Sequence, residues 1–174
     1  ISLGLVGSEM CKETGKERRG FGETIFCEGK EDFALAEIYK SFSQRKESVI
    51  GTRATPSQYE RVLELVPEAK YDPTGRIISL VYEESPKIGN IAICTGGTAD
   101  LKVAEEARIT AEFFGANVTK FYDVGVSGLH RLTSKIDEIA KANVIIAIAG
   151  MEGALPTVLP LKQISEPTRP SLIS

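Results

Sequence analysis

A first loop of small residues, residues 95–100 (TGGTAD), has the composition of a phosphate-binding turn. Gly96 and Gly97 would let backbone N–H groups approach an anion, and the N-terminus of a following helix favours negative charge. Thr98 could donate to a phosphate oxygen, and Asp100 could accept from a ribose or ring hydroxyl. A tight turn capped by Thr98 explains the same residues, because the loop has neither the GxGxxG nor the P-loop pattern.

A second loop, residues 123–131 (DVGVSGLHR), combines small residues with two side chains that could do chemistry. Ser127 and Gly128 permit the close approach of a ligand, and the forked guanidinium of Arg131 suits a phosphate or carboxylate. His130 could move protons near neutral pH. The alternative is structural: His130 faces solvent at the start of a helix, and Arg131 pairs with an acidic residue.

A third loop, residues 149–156 (AGMEGALP), places a carboxylate between glycines. Glu152 could act as an acid or base or bind a hydroxyl, with Gly150 and Gly153 beside it; a solvated glutamate in a turn is the alternative. All three loops follow apolar segments, so we expect them to meet at the carboxyl edge of one sheet, where open α/β sheets bind ligands. Three converging loops favour a shared cleft over three unrelated turns.

The elements that must position these loops follow a repeating strand–helix pattern. Residues 88–95, 117–122 and 143–149 are apolar strands, and helical patterns at about 99–114 and after residue 129 separate them. This alternation is typical of a parallel α/β sheet, here of flavodoxin-like type with strand order 2-1-3. The residues predicted to be buried on the two helices are Val103, Ala107, Thr110, Ala111 and Phe114, then Leu129, Leu132, Ile136 and Ile139.

The N-terminal half has a different and less regular pattern. Residues 1–30 are rich in glycine and charge, and only residues 24–27 have strand character. A helix is predicted over 31–42, a second starts after Thr55, and a strand covers 77–82. We therefore predict an α+β region at 1–86, a parallel core at 87–159 whose sheet is incomplete at its C-terminal end, and a poorly ordered tail at 160–174.

Composition excludes several classes of protein. The chain has 174 residues and a net charge of −3, and neither half is basic, so we expect no nucleic-acid partner. It has one histidine and three cysteines without a CxxC pair, which excludes a multi-histidine metal site and a zinc ribbon. No apolar run is long enough to cross a membrane. Few, unpaired cysteines predict a reducing, cytoplasmic compartment, although a trimmed start would hide a leader peptide.

The three loops and their helices also carry a resemblance to a known family. The segments TGGTADLKVAEEA, YDVGVSGLHR and VIIAIAGMEGALP resemble the LarB type of nickel-pincer cofactor biosynthesis protein, which is related to the aminoimidazole ribonucleotide carboxylases. ERRGFGETIFCEGK and GTRATPSQYE are similar to its N-terminal part, with Gly22 where proline is usual. The resemblance covers roughly residues 17–159.

This resemblance implies a function. The family carboxylates and hydrolyses nicotinate adenine dinucleotide to pyridinium biscarboxylate mononucleotide, and the resemblance implies carbon dioxide or bicarbonate as carbon source and Mg²⁺ as cofactor. It implies that Gly97, Thr98 and Asp100 hold phosphate and ribose, that His130 is catalytic and Arg131 contacts phosphate, and that Glu152 and Gly153 belong to a central loop.

The chain also departs from the family pattern after residue 159. The family continues with a further strand, a helix and an Asn-Ser-Cys segment whose cysteine attacks the pyridinium ring, and Cys11, Cys27 and Cys94 do not match that position. Three hypotheses stay open: an active carboxylase and hydrolase, a nucleotide-binding remnant without catalysis, and a purine enzyme of the aminoimidazole ribonucleotide carboxylase type. Because the last strand keeps an open edge, we also expect a homo-oligomer.

Overall fold

The structure is a computed structural model of the 174-residue chain, and it describes residues 22–150 and 154–160. Cys11, Glu152, Gly153 and the predicted tail after residue 160 lie outside the described residues. In the part of the chain that it describes, no helix is long and apolar enough to cross a membrane.

From residue 22 onward, the N-terminal half, predicted as an α+β region, forms a four-stranded sheet with its own core. The chain order is β1 (Glu23–Phe26), α1 (Asp32–Arg45), β2 (Val49–Thr52), α2 (Pro56–Leu65), β3 (Lys70–Asp72) and β4 (Ile77–Leu80). The strand order in the sheet is β1-β2-β4-β3, with β1 and β2 parallel and the other two pairs antiparallel. Helices α1 and α2 cover one face, where Leu35, Tyr39 and Val62 are buried.

Local sequence signals explain the start of α2. The hydroxyl of Thr55 accepts a hydrogen bond from the backbone N–H of Gln58, while the Gln58 side chain accepts one from the N–H of Thr55. This capping box satisfies two backbone donors, and Pro56 fits the first helical position. The predicted cap at Thr55 is confirmed.

The second half is the predicted parallel sheet. Strands β5 (Ile88–Thr95), β6 (Ala116–Phe121) and β7 (Val144–Ile148) pair in the order β6-β5-β7, and both pairs are parallel. The α/β fold class and the strand order 2-1-3 are therefore confirmed. Its helices are α3 (Leu101–Phe113), α4 (Leu129–Thr133), α5 (Ile136–Ile139) and α6 (Ala154–Val158). Gly115 closes α3 with a left-handed backbone at φ 85°, as predicted.

Two predictions about the helices are wrong. Val103 is 54% exposed, because the buried side of α3 runs through Ala104 instead. The helix after the second loop is not continuous, since α4 and α5 are separated by Ser134 and Lys135 and do not share one apolar face. Leu129 is 54% exposed for this reason, whereas Leu132 and Ile139 are buried.

Helix α3 lies between the two sheets. A methyl group built on Gly75, in the turn before β4, would lie 3.1 Å from the backbone nitrogen of Glu106. One built on Gly22, before β1, would lie 2.7 Å from the ring of Phe113. The N-terminal sheet therefore packs its second face against α3, and the predicted boundary at residue 86 falls in the connection between the sheets.

Candidate functional site

The carboxyl ends of β5, β6 and β7 are joined by hydrogen bonds between their loops. The backbone N–H of Gly96 donates to the carbonyl of Ile148 at 2.9 Å. The N–H of Val124 donates to the carbonyl of Thr95 at 3.0 Å, and the N–H of Asp123 donates to the Thr95 hydroxyl at 3.0 Å. Thr95 is fully buried, so these bonds are shielded from water. The first and second predicted loops therefore meet at one edge, with the start of the third beside them.

Glycine is required where the first two loops touch. A methyl group built on Gly125 would lie 2.2 Å from the carbonyl oxygen of Gly96, closer than real side-chain carbons approach. Methyl groups on Gly97 and Gly150 would meet no atom within 4 Å. The edge thus combines one tight backbone contact with open space above two other glycines, which is the arrangement that a ligand approaching the backbone needs.

Asp100 stabilises the first loop. Its carboxylate accepts a hydrogen bond from the backbone N–H of Gly97 at 3.0 Å, across the short turn Thr98–Asp100 that precedes α3. Asp100 occupies the N-cap position of α3, although its side chain makes no capping bond to the helix. Thr98 is instead the first residue of the short turn, so the alternative in which Thr98 is the N-cap is wrong. Thr98 is exposed on the loop, and its hydroxyl stays a candidate for phosphate.

The guanidinium of Arg131 lies against the second loop. Its Nε donates to the carbonyl of Asp123 at 2.9 Å, and its Nη2 lies 3.4 Å from the Asp123 carboxylate. Asp123 has a left-handed backbone at φ 59°, and a methyl group on Gly128 would lie 2.7 Å from the guanidinium carbon. The structure thus shows the alternative for Arg131, pairing with an acidic residue, and the partner is Asp123 of the same loop.

Ser127 and His130 lie near Arg131 in the chain and both are exposed. Ser127 belongs to the short turn Val126–Gly128, and His130 occupies the second position of α4. Helix α6 packs against this turn, and its Leu155 is buried beside Val124. The roles predicted for these two residues stay predictions.

Neither described cysteine has the environment of a nucleophile. Cys94 is fully buried near the end of β5, and Cys27 is fully buried after β1. Burial raises the pKa of each thiol to about 11, so neither is a thiolate at neutral pH. Both cysteines are therefore part of the buried core.

An ion-pair network that sequence reasoning missed ties α3 to the end of β6. The carboxylate of Glu105 accepts from the Tyr122 hydroxyl at 2.7 Å and from Arg108 Nε at 2.6 Å. The ammonium nitrogen Nζ of Lys120 lies 3.7 Å from the Oε1 atom of the same carboxylate. Burial alone would raise the pKa of Glu105, but these hydrogen bonds and positive charges outweigh it and hold the pKa below its usual value. The network fixes Tyr122, the residue immediately before the second loop.

Metal-ligating side chains do not cluster in the part of the chain that the structure describes. Within residues 22–150 and 154–160, no group of three His, Cys, Asp or Glu side chains lies close enough together to hold a metal ion. Asp100 and Asp123 are each used in hydrogen bonds to their own loops or to Arg131. The predicted Mg²⁺ stays a prediction, and no step below passes through it.

Comparison with known proteins identifies relatives for part of the chain. Residues 14–83 match the profile of the LarB/PurE-like N-terminal domain. An uncharacterized protein of Methanocaldococcus jannaschii is 47% identical over 78 residues, which cover 44% of this chain and 30% of that protein. The N5-carboxyaminoimidazole ribonucleotide mutase of the same organism is 39% identical over 72 residues, which cover 40% of this chain and 43% of the enzyme.

The chain thus spans less than half the length of these two curated relatives. Together, the N-terminal domain match and the mutase match support a relationship to the PurE/LarB superfamily of carboxylase-type proteins. The resemblance seen in the sequence is confirmed at that level, while its LarB type is not.

Proposed function

We propose that this chain binds a nucleotide at the joined loops of its parallel sheet and serves a carboxylation of LarB/PurE type. The observation that carries the proposal is the contact between the loops: Gly96 bonds to Ile148 and packs on Gly125, while the backbone at Gly97 and Gly150 faces open space. A phosphate placed there would lie beside the N-terminal end of α3, whose dipole favours an anion.

Arg131 is the residue we assign to the phosphate. Its Nη2 already faces a carboxylate oxygen of Asp123 at 3.4 Å, which is a weak contact that a phosphate oxygen could replace. The shorter bond from Nε to the Asp123 carbonyl would hold the guanidinium in place during that exchange. Ser127, Gly128 and Thr98 would add close contacts around the phosphate.

His130 is the residue we assign to proton transfer, the catalytic role that the resemblance implies for it, and Glu152, which lies outside the described residues, is a second candidate acid or base. His130 is exposed on the helix that starts at the second loop, where a bound nucleotide could reach it. Since a general acid or base must lie within hydrogen-bonding reach of the reacting group, this assignment depends on where the ring of the substrate lies.

We take nicotinate adenine dinucleotide as substrate and carbon dioxide or bicarbonate as carbon source. A second candidate, aminoimidazole ribonucleotide, is favoured by the match to a protein named as an N5-carboxyaminoimidazole ribonucleotide mutase. Both ligands carry a ribose 5-phosphate, so the loops described above suit either one. They differ in that the first has a second nucleotide beyond the pyrophosphate.

Calorimetric titration tests the proposal directly. Wild-type chain should bind one of the two nucleotides, and Arg131→Ala should weaken that binding by about 1.5–3 kcal/mol if Arg131 makes a charged hydrogen bond to phosphate. Lys135→Ala is the matched control, because Lys135 is a cation four residues away that pairs with Glu138 instead. Equal affinities for Arg131→Ala and wild type would reject the role of Arg131, and no binding of either nucleotide would reject the function.

Catalysis is tested separately from binding. With nicotinate adenine dinucleotide, Mg²⁺ and bicarbonate, mass spectrometry would detect biscarboxylated mononucleotide. Burial and a raised pKa keep Cys27 and Cys94 from acting as thiolates, and Cys11 does not match the position of the family's cysteine. We therefore expect binding without product from this chain alone. Product above a no-protein control would contradict that expectation and favour the active enzyme over the nucleotide-binding remnant.

A further inference from the structure

The carboxyl edges of the two sheets face the same end of the molecule. Helix α3 begins at the carboxyl end of β5, and its Glu106 lies against Gly75, in the turn beside the carboxyl ends of β1 and β2. Its other end, at Phe113, lies against Gly22 at the start of β1. Since α3 rises about 1.5 Å per residue, Gly75 lies only ~9 Å along the helix from Asp100.

An arginine and a phenylalanine are exposed at this edge of the N-terminal sheet. Phe26, the last residue of β1, is 52% exposed, and its ring belongs to the sheet face that packs on α3 rather than on α1 and α2. The guanidinium of Arg53, just after β2, lies 5.4 Å from the centre of that ring. Its Nη1 also contacts the Glu28 carboxylate at 3.2 Å. The pair offers an aromatic face and a cation side by side.

The backbone around Arg53 is braced in an unusual conformation. Arg53 and Arg76 both have left-handed backbones at φ 54°, which non-glycine residues adopt rarely. Arg76 donates from Nη2 to the carbonyl of Arg53 at 3.1 Å and from Nε to that of Ala54 at 3.2 Å. The N–H of Ala54 returns a bond of 2.7 Å to the carbonyl of Arg76. Arg76 is thereby occupied, whereas the Arg53 side chain is directed out to the exposed ring.

We propose that Phe26 and Arg53 form a second subsite, which binds the distal nucleotide of a dinucleotide whose other phosphate lies at the loops of the parallel sheet. Phe26 would stack on the base, and Arg53 would leave Glu28 for the pyrophosphate or the distal ribose. The proposal rests on the proposed function, since it needs a nucleotide at those loops. It gives the N-terminal sheet a part in selecting a dinucleotide over a mononucleotide.

The chain contains a matched control for this pair. Arg61 lies 5.7 Å from the ring of Phe33, which is 59% exposed, so the chemistry and exposure are alike. Phe33 and Arg61 belong to α1 and α2, the helices on the opposite face of the N-terminal sheet from α3. If only the substitutions at Phe26 and Arg53 weaken binding, the effect is due to the position of this pair at the shared edge. It is then not a general consequence of losing an exposed arginine–aromatic pair.

The test compares calorimetric affinities of the full chain for nicotinate adenine dinucleotide and nicotinate mononucleotide. Arg53→Asn keeps a residue that tolerates the left-handed backbone, and Phe26→Leu keeps an apolar side chain without a ring face. Each should weaken dinucleotide binding about tenfold and leave mononucleotide binding unchanged. Phe33→Leu and Arg61→Gln should change neither affinity, and thermal unfolding of every variant verifies that it folds.

The outcomes separate the two proposals. Wild type that binds neither nicotinate nucleotide overturns the second subsite, and it rejects the nucleotide site itself if aminoimidazole ribonucleotide does not bind either. If the wild type binds both ligands and Arg53→Asn and Phe26→Leu bind the dinucleotide as tightly as the wild type does, only the second subsite is overturned. The second subsite is also overturned if these variants bind both ligands equally more weakly. A further variant, Glu28→Gln, removes the carboxylate that pairs with Arg53. Its affinity for the dinucleotide should be higher than that of the wild type. A loss of affinity comparable to that of Arg53→Asn would also overturn the subsite.

Discussion

Replacing Gly125 by alanine should separate the two loops on which the candidate site depends. The backbone of Gly125, at φ −64° and ψ 161°, suits any residue, so the substitution adds no conformational strain. The added methyl group would instead lie 2.2 Å from the Gly96 carbonyl oxygen and 3.1 Å from the carbon of that carbonyl. Both obstacles are backbone atoms, which cannot turn aside as a flexible side chain does.

The size of the effect follows from what must move. Gly96 donates to Ile148 on one side, and Thr95 holds Val124 and Asp123 on the other. Relieving the clash therefore strains at least one of these buried hydrogen bonds. Overpacking a tight contact costs about 1–3 kcal/mol, and we expect the upper part of that range here because both loops are anchored.

Urea unfolding of Gly125→Ala and Gly97→Ala measures this cost against a matched substitution. A methyl group at Gly97 meets nothing within 4 Å and its extended backbone accepts alanine, so Gly97→Ala should keep the wild-type free energy of unfolding. It should nevertheless weaken nucleotide binding, because the methyl group enters the space assigned to the ligand. A wild-type unfolding midpoint for Gly125→Ala would refute the close packing of the loops.

Three other predictions concern groups away from the loops. Hydrogen bonds and positive charges lower the pKa of Glu105 in the folded state, so its carboxylate stabilises the fold at pH values above the ordinary carboxyl pKa. This contribution is lost as the pH falls through the pKa of the folded state. The free energy of unfolding of Glu105→Gln should therefore decrease less between neutral and acidic pH than that of the wild type. Gln58→Ala removes the side-chain half of the capping box and the bonds to the carbonyls of Cys27 and Lys30, and thermal unfolding should show a loss of about 1–3 kcal/mol. Cys27 and Cys94 should react with a thiol reagent at pH 8 only after unfolding. Rapid native-state labelling of either residue, located by peptide mass spectrometry so that Cys11 is counted separately, would contradict their burial.

Sequence reasoning predicted the elements whose signals are local. The apolar runs that became β5, β6 and β7 indicate strands by their own composition, and the right-handedness of crossovers then fixes which face of the sheet each connecting helix covers. Strands β2 and β3 were missed, since VIGT and KYD are short and owe their conformation to pairing with β4. The prediction that Val103 is buried is wrong because the apolar residues of this helix are compatible with more than one buried face. In the fold, the buried face includes Ala104 and leaves Val103 exposed.

For the candidate site too, some features could be predicted from the sequence and others could not. The small residues of the first two loops could be found from their types and spacing, because a parallel strand delivers its following loop to a known edge. The contacts of those side chains could not be predicted, because their partners are groups that only the fold brings close to them. Asp100 bonds to Gly97 and Arg131 to Asp123, and neither partner is marked by any sequence signal.

Helix α3 explains why the two halves of the chain should be considered together. Ala104 is buried on its side toward the parallel sheet, while Glu106 and Phe113 lie against the N-terminal sheet. Its first turn carries Asp100, which holds the loop at Gly97. Any shift of the N-terminal sheet against α3 is therefore passed to that loop through a rigid helix rather than a flexible connection. Through α3, the N-terminal sheet is thus part of the support of the proposed nucleotide site.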